Sequence, residues 1–221
     1  MRFARLPPSR RVWIFDLDNT LHDARVHIFP SMHLQIGDWL KRHLGLDEDA
    51  ANQLRQGYWR RYGTTLHGLM RHHGTDPRGF LWETHQFPDI ERMVVYDNAL
   101  LHALQRLQGL KLVFTNAPRH YAEAVLRAMR LHRYFDAVYT IENTRYRPKP
   151  AFAGFHVLLR VHQLDPHRCA LIDDSLDNLR AAKRLGMSTV WVSPLAQRPG
   201  YVDLRVGSVL ELPRLAFRYA G

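Results

Sequence analysis

The chain has 221 residues, of which 46% are apolar, and it contains a single cysteine, Cys169. This composition excludes a disordered chain, and the length suits one large domain or a core domain with one inserted module. No apolar run approaches the ~18 residues that cross a bilayer, and the N-terminus lacks a signal-peptide pattern. We therefore expect a cytoplasmic protein without a membrane partner, in which Cys169 is a buried, unreactive thiol.

The net charge is +10 at pH 7, and the isoelectric point is near 10.2. Strongly basic chains often bind nucleic acid, but here the basic residues are spread along the whole chain without a long basic block. No helix-turn-helix or aromatic RNA-binding signature accompanies them. We expect a solvated, arginine-rich surface that attracts small phosphorylated metabolites, and no nucleic-acid partner.

Five apolar segments predict strands, at residues 12–16, 111–115, 137–140, 169–173 and 189–192. Several are apolar throughout, which is typical of a sheet covered on both faces. Helical patterns separate the last four, at residues 118–131, 150–164 and 175–185. Strands that alternate with helices predict an α/β fold with a doubly wound parallel sheet. The tail from residue 196 is weakly patterned, and we expect only a short helix or strand there.

About ninety residues separate the first two strands, which is too long for one crossover. Five helical patterns fill this stretch, at residues 31–44, 47–62, 64–73, 76–86 and 98–107. The predicted N-caps are Ser31, Asp47, Thr64 and Asp76, and the predicted stops are Gly45, Gly63 and Gly74. The simplest arrangement inserts an all-helical domain, residues 21–93, into a core domain of residues 1–20 and 94–221. We expect Trp39, Trp59 and Trp82 to pack inside the insert rather than against a substrate base.

The first predicted strand ends in two carboxylates, Asp16 and Asp18. If the strand geometry continues through both, they point the same way, and they repel each other unless a cation lies between them. Mg²⁺ prefers such oxygen ligands, and open α/β sheets bind ligands at the carboxyl ends of their strands. This segment therefore predicts a magnesium site.

Three other strand ends carry polar groups. Thr115 ends the second strand, and Asn116 follows it in a turn that can bind a phosphate. Lys149 lies between two prolines before a helix. The fourth strand ends in Asp173 and Asp174. Together these groups suit phosphoryl transfer through an aspartyl-phosphate. One carboxylate attacks, a second moves the proton, and cations hold the phosphoryl oxygens.

In this order, the four motifs resemble those of the haloacid dehalogenase-like (HAD) superfamily of hydrolases, and the resemblance covers almost the whole chain. It implies a Rossmann-like core, with Asp16 as the nucleophile and Asp18 as the general acid and base. It also implies phosphate binding by Thr115, Asn116 and Lys149. The implied Mg²⁺ ligands are Asp16, the backbone carbonyl of Asp18, Asp173 and Asp174. Asp177 or Asn178 is expected to support Lys149 or the metal.

The helical insert resembles a HAD cap domain, which closes over the site and contacts the substrate. Asn19 and the segment from Arg60 to Leu66 resemble the pyrimidine 5′-nucleotidase branch, which implies nucleoside monophosphate substrates. His22 stands where that branch commonly has Tyr. We take His22, Tyr62 and Thr64 as candidate substrate contacts.

Alternatives remain open from the sequence. A phosphatase or phosphomutase acting on a small sugar or organic phosphate would share every core motif, and a weakly catalytic HAD-fold protein could use its basic surface to bind RNA. A dehalogenase lacks the second Asp of the first motif and needs no metal cluster. The presence of Asp18 and of the acidic fourth motif therefore argues against dehalogenation.

Overall fold

A computed structural model describes residues 11–215. The parts of the predicted core domain at residues 1–10 and 216–221 lie outside the described residues. Within residues 11–215, no helix is both long and apolar enough to cross a membrane.

The core is a six-stranded parallel sheet with the strand order β3-β2-β1-β4-β5-β6. Its strands are β1 (Val12–Phe15), β2 (Leu110–Phe114), β3 (Ala137–Tyr139), β4 (Cys169–Asp173), β5 (Ser188–Val192) and β6 (Leu204–Val206). The five predicted strands are thus confirmed, with shifts of one residue at some ends. The sixth strand, β6, comes from the weakly patterned tail, where its three residues carry too little pattern for detection.

Both faces of the sheet are covered, as the continuous apolar strands predict. Along β1, Trp13 and Phe15 belong to one hydrophobic cluster, whereas Val12 and Ile14 belong to another on the opposite face. All four side chains are at most 4% exposed. Cys169 at the start of β4 is likewise buried, and burial raises the pKa of its thiol to about 12. The predicted burial of Cys169 is confirmed, and a thiol with a raised pKa stays protonated at neutral pH.

The helices fall into two groups along the chain, those between β1 and β2 and those after β2. Between β1 and β2 lie α1 (Ile28–Leu44), α2 (Glu48–Tyr62), α3 (Thr65–His73), α4 (Pro77–Thr84), α5 (Ile90–Met93) and α6 (Leu100–Arg106). The later helices are α7 (Arg119–Ala128), α8 (Phe152–Val161), α9 (Leu176–Arg184) and α10 (Leu212–Leu215). Helices α7, α8 and α9 each connect two parallel strands, which makes the sheet doubly wound.

Helices α1 to α4 share a hydrophobic cluster, which includes Ile36, Leu40, Leu69 and Phe80 and also takes in Ile141 from the segment after β3. The two segments that connect this helical module to the sheet lie side by side, because Asp23 and Val95 form an antiparallel bridge. The predicted caps Asp47, Thr64 and Asp76 accept hydrogen bonds from the first turns of their helices. A module whose helices pack mainly on one another, with one paired connection, is consistent with an inserted domain.

Two expectations for the module are wrong. Ser31 does not cap α1, because the helix begins at Ile28 and its first turn accommodates Pro30, whose missing N–H has no helical partner there. Trp39 is buried in the module, but Trp59 and Trp82 are 63% and 61% exposed. Neither belongs to the hydrophobic cluster of the module, and the ring of Trp82 instead lies 5.1 Å from that of His120 on α7. Helical spacing alone therefore did not identify which face is covered.

Candidate active site

The strand order reverses between β1 and β4, which neighbour each other but lead the chain to opposite halves of the sheet. Ligand sites of open α/β sheets lie outside the carboxyl ends of the strands at such a point. Phe15 pairs with Ile172, and the N–H of Asp16 donates to the carbonyl of Ile172 at 2.9 Å. The sheet register thus brings the carboxylate that follows β1 next to Asp173 at the end of β4.

Three carboxylates and one ammonium group meet at this point. Oxygen atoms of Asp16, Asp173 and Asp174 lie within 4.8 Å of one another. The Nζ of Lys149 lies 2.9 Å from Oδ1 of Asp16 and 2.8 Å from Oδ2 of Asp173. The side chains of Lys149 and Asp173 are 1% and 0% exposed, so this is a buried ion pair. The sequence-predicted groups from three of the four motifs therefore contact one another.

The charges of this cluster do not balance. Three carboxylates beside one ammonium leave two negative charges in surplus if all are ionised. Burial, which Lys149 only partly offsets, raises the pKa of Asp16 well above its usual range. Burial and repulsion from Asp173 raise the pKa of Asp174 to about 6. Burial disfavours the Lys149 ammonium, but attraction from Asp16 and Asp173 outweighs it and raises the pKa of Lys149.

These residues fit a divalent cation. Carboxylate oxygens are the hard ligands that Mg²⁺ prefers, and the three oxygens are close enough to share one ion. A double positive charge would also offset the surplus negative charge of the cluster. The donor set therefore supports a metal site formed by Asp16, Asp173 and Asp174.

Lys149 is held in place through its backbone. The Asn116 amide accepts from the N–H of Lys149 at 2.7 Å and donates to the carbonyl of Lys149 at 3.1 Å. The side chain of Asn116 thus fixes the lysine loop. Thr115 is buried at the end of β2, where its hydroxyl accepts from the N–H of Ala117 at 3.0 Å. This turn lies at the carboxyl edge of the sheet, beside the strand that carries Asp16.

The structure separates the two candidates in the fourth motif. Asn178 is buried on α9, and its amide donates to both oxygens of Asp173, at 3.0 and 3.1 Å. Asp177 points to solvent, with a side chain that is 73% exposed, and lies 3.5 Å from Arg180. Asn178 therefore supports the cluster, whereas Asp177 does not contact it.

Asp18 lies beside the cluster in a network of its own. Its Oδ1 accepts a hydrogen bond from the hydroxyl of Tyr121 at 2.5 Å and lies 2.9 Å from Nε2 of His22. Directly after Asp18, Asn19 has a φ of 60°, a left-handed conformation that Asn tolerates better than most residues. Asn19 also lowers the pKa of Asp174, against the larger effect of burial. Sequence reasoning missed Tyr121, since its position on α7 resembles an ordinary core position.

The turn between α2 and α3 approaches the lysine loop. A side chain at Gly63 would lie 3.7 Å from the Lys149 carbonyl oxygen. The neighbouring Thr64 caps α3 by accepting from the N–H of His67 at 3.1 Å, and the hydroxyl of Tyr62 lies 2.6 Å from Nε2 of His72. Tyr62 and Thr64 therefore flank the point where the helical module contacts the core beside Lys149. His22, in contrast, is buried against Asp18.

His85, at the end of α4, gives a prediction for the pH dependence of stability. Burial and the nearby His120 lower the pKa of His85 to about 4, against about 6.5 in an unfolded chain. Between these values the unfolded chain binds the extra proton, so the free energy of unfolding should decrease as the pH falls from 6.5 to 4, by up to about 3 kcal/mol. Urea unfolding at several pH values checks this.

The variant His85→Gln should lose that part of the pH dependence, and His102→Gln, at an exposed histidine on α6, is the matched control. An unchanged slope in His85→Gln would show that His85 does not cause the loss.

Comparison with known proteins identifies the family. Residues 11–186 match the haloacid dehalogenase-like hydrolases. The chain belongs to this family, as the four motifs imply.

Two curated relatives are 26% identical to the chain. One is phosphate metabolism protein 8 of Saccharomyces cerevisiae, aligned over 202 residues that cover 83% of this chain and 61% of the yeast protein. The other is the HAD-hydrolase YfnB of Bacillus subtilis, aligned over 209 residues that cover 83% of this chain and 84% of YfnB. The chain thus spans less than two thirds of the yeast relative.

Solved structures share the fold. A HAD phosphatase from Thermococcus onnurineus has a TM-score of 0.66 at 21% identity, covering 93% of this chain and 97% of that one. An L-2-haloacid dehalogenase from Xanthobacter autotrophicus with covalently bound chloropropionic acid has a TM-score of 0.61 at 16% identity, covering 94% and 98%. YfnB bound to magnesium has a TM-score of 0.58 at 21% identity, covering 93% and 98%. At these identities the likeness shows the fold alone.

Proposed function

We propose that this protein is a Mg²⁺-dependent phosphomonoesterase that acts through an aspartyl-phosphate on Asp16. The observation that carries the proposal is the cluster in which the Asp16 carboxylate, the Lys149 ammonium and two further carboxylates meet at the switch point of the sheet. A nucleophile, a buried cation and a cation-binding set at one place are what phosphoryl transfer requires.

In the proposed reaction, an oxygen of Asp16 attacks phosphorus, and the leaving alkoxide takes a proton from Asp18. Water then attacks the acyl phosphate while Asp18 accepts its proton, which regenerates both carboxyl groups. Lys149, with Thr115, binds the phosphoryl oxygens where negative charge collects. We assign Mg²⁺ to Asp16, Asp173, Asp174 and the backbone carbonyl of Asp18. When bound, Mg²⁺ supplies charge neutralisation and polarises the phosphoryl group.

The presence of Asp18 favours phosphate transfer over dehalogenation. Halide is a leaving group that needs no proton, so a dehalogenase has no use for an acid at this position. A dehalogenase also needs no metal, and without a cation the surplus negative charge of the three carboxylates would repel the carboxylate group of a haloacid substrate. The magnesium-bound structure of YfnB supports the choice of metal.

We further propose that the helical module, residues 21–93, is a cap, and that nucleoside monophosphates, with pyrimidines preferred, are the substrates. Support for the cap comes from the hydrophobic cluster that α1 to α4 share, the paired connection at Asp23 and Val95, and the approach of Gly63 to Lys149. Tyr62 and Thr64 flank that approach and are proposed to face the substrate. Support for nucleotides comes from the resemblance of this segment and of Asn19 to the nucleotidase branch.

A phosphate-release panel tests the proposal. It compares UMP and CMP with AMP and GMP, nicotinamide mononucleotide, phosphoglycolate and hexose phosphates, each with Mg²⁺ and with chelator. We expect release that requires Mg²⁺ and favours UMP and CMP. A Mg²⁺-dependent preference for a sugar phosphate would keep the mechanism and overturn the nucleotide substrate. No release from any compound would overturn the phosphatase and leave the mutase or RNA-binding alternative.

A further inference from the structure

The starting observation is that two hydrogen-bond donors converge on one oxygen of Asp18. Both the Tyr121 hydroxyl and Nε2 of His22 bond to Oδ1, at 2.5 and 2.9 Å. Nδ1 of His22 is buried without a hydrogen-bond partner, so the tautomer that satisfies the site carries its hydrogen on Nε2 and donates it to Asp18. Neither bond involves Oδ2.

The two donors come from different elements, and both are fixed. His22 follows the first motif, is paired with Asp18 through a backbone bridge and is 4% exposed. Tyr121 lies on α7 and is 1% exposed. Its ring packs against Phe87, with ring centroids 5.3 Å apart, and lies edge-on to His85 at 6.1 Å. Tyr121 cannot follow Asp18 through a rotation of its carboxyl group without losing this packing, and the side chain of His22 is fully buried.

This arrangement decides which oxygen carries a proton. An oxygen that accepts from two donors has its lone pairs occupied, so a proton on the Asp18 carboxyl group resides on Oδ2. A general acid must also hold its proton within hydrogen-bond reach of the leaving oxygen. Fixing Oδ1 thus keeps Oδ2 free for the leaving group and limits the carboxyl group to one orientation.

We infer that Tyr121 and His22 are positioning residues for proton transfer by Asp18. The two side chains hold Oδ1 of Asp18 and thereby direct its proton-bearing Oδ2 to the leaving group. This inference rests on the proposed phosphomonoesterase. It assigns His22 to Asp18 rather than to the substrate, and it gives Tyr121 a role beyond packing.

The test uses two substrates that differ in their need for a proton. The leaving group of UMP is the alkoxide of uridine, which needs a proton from a general acid. The leaving group of p-nitrophenyl phosphate is a stable phenolate, which does not. The measured quantity is kcat/KM, which covers the steps up to release of the alcohol and excludes hydrolysis of the acyl phosphate. For Tyr121→Phe we expect kcat/KM for UMP to fall about 10- to 100-fold, and that for p-nitrophenyl phosphate to change less than about threefold.

Variants of the second donor and of a control tyrosine complete the test. His22→Phe removes the second donor at similar volume and should show the same selectivity, and the double variant should approach the UMP activity of Asp18→Asn. The matched control is Tyr134→Phe. Tyr134 packs against the same hydrophobic cluster as Tyr121, but its hydroxyl accepts from Gln105 at 3.2 Å on the exposed side of the fold. We expect wild-type kinetics for both substrates in this control.

The outcomes are distinguishable. Equal losses for both substrates in Tyr121→Phe, or no loss for either, would overturn the positioning role while leaving the proposed function intact. If the wild type releases phosphate from neither substrate, the proposed function falls and this inference falls with it.

Discussion

Replacing Asp16 with Asn should abolish phosphate release while leaving the fold intact. The amide keeps the shape of the side chain but cannot attack phosphorus, so the covalent route is lost, and we expect kcat to fall on the order of 10⁴-fold or more. Because Lys149 keeps its bond to Asp173 at 2.8 Å, the buried ammonium is not left without a partner. Phosphate release and thermal unfolding, measured on the same preparation, check both parts.

The matched control for this variant is Asp177→Asn. It makes the same chemical change at an exposed carboxylate on the adjacent helix, where the side chain contacts Arg180 rather than the cluster. We expect its activity to stay within about twofold of the wild type, since solvated surface charges contribute little. Activity in Asp16→Asn above a few per cent of the wild type would contradict a nucleophilic role for Asp16.

Replacing Lys149 with Met should cost both stability and activity. The change leaves Asp16 and Asp173 buried without their shared cation, and breaking such a buried pair costs about 3–5 kcal/mol of unfolding free energy. Loss of a cation that holds the phosphoryl oxygens should also lower kcat on the order of 10²- to 10³-fold. Urea unfolding in metal-free buffer at pH 7.5 measures the first effect, and phosphate release the second.

The response to Mg²⁺ gives a second measurement on the Lys149→Met variant. Without the ammonium, the three carboxylates carry a larger negative charge, so Lys149→Met should bind Mg²⁺ at least as tightly as the wild type, and Mg²⁺ should narrow the stability gap. Calorimetric titration measures that affinity independently of turnover. The control is Lys183→Met, which breaks a half-exposed pair with Asp203 and should cost about 1 kcal/mol or less. Equal unfolding energies for the two variants would contradict the buried-pair argument.

The sheet could be predicted from sequence because its signal is local. Each buried parallel strand is a short apolar run bounded by polar residues, and β1, β2, β4 and β5 are four or five residues long with little exposure. Strand β6 and helix α5 are too short to carry such a pattern. The start of α1 was misjudged because Ser31 resembles a cap, whereas the helix begins three residues earlier.

The candidate site could be predicted in part for the same reason. Asp16, Lys149 and Asp173 each stand at the end of a recognisable strand or before a recognisable helix, and the strand order brings strand ends together. The donors to Asp18 could not be predicted in this way. Tyr121 is 103 residues away in sequence, and its hydroxyl differs from a packing phenylalanine only by a contact that the sequence does not encode locally.

The sequence by itself determined the α/β class, the run of helices between the first two strands and the identity of the charged groups, because periodicity, caps and strand-end residues are properties of short segments. The tertiary structure alone decided how those charges are paired. It placed Asn178 rather than Asp177 on Asp173, turned His22 toward Asp18, and left Trp59 and Trp82 exposed. Each of these depends on which face of an element its neighbours cover, and that is set by packing between segments far apart in the chain.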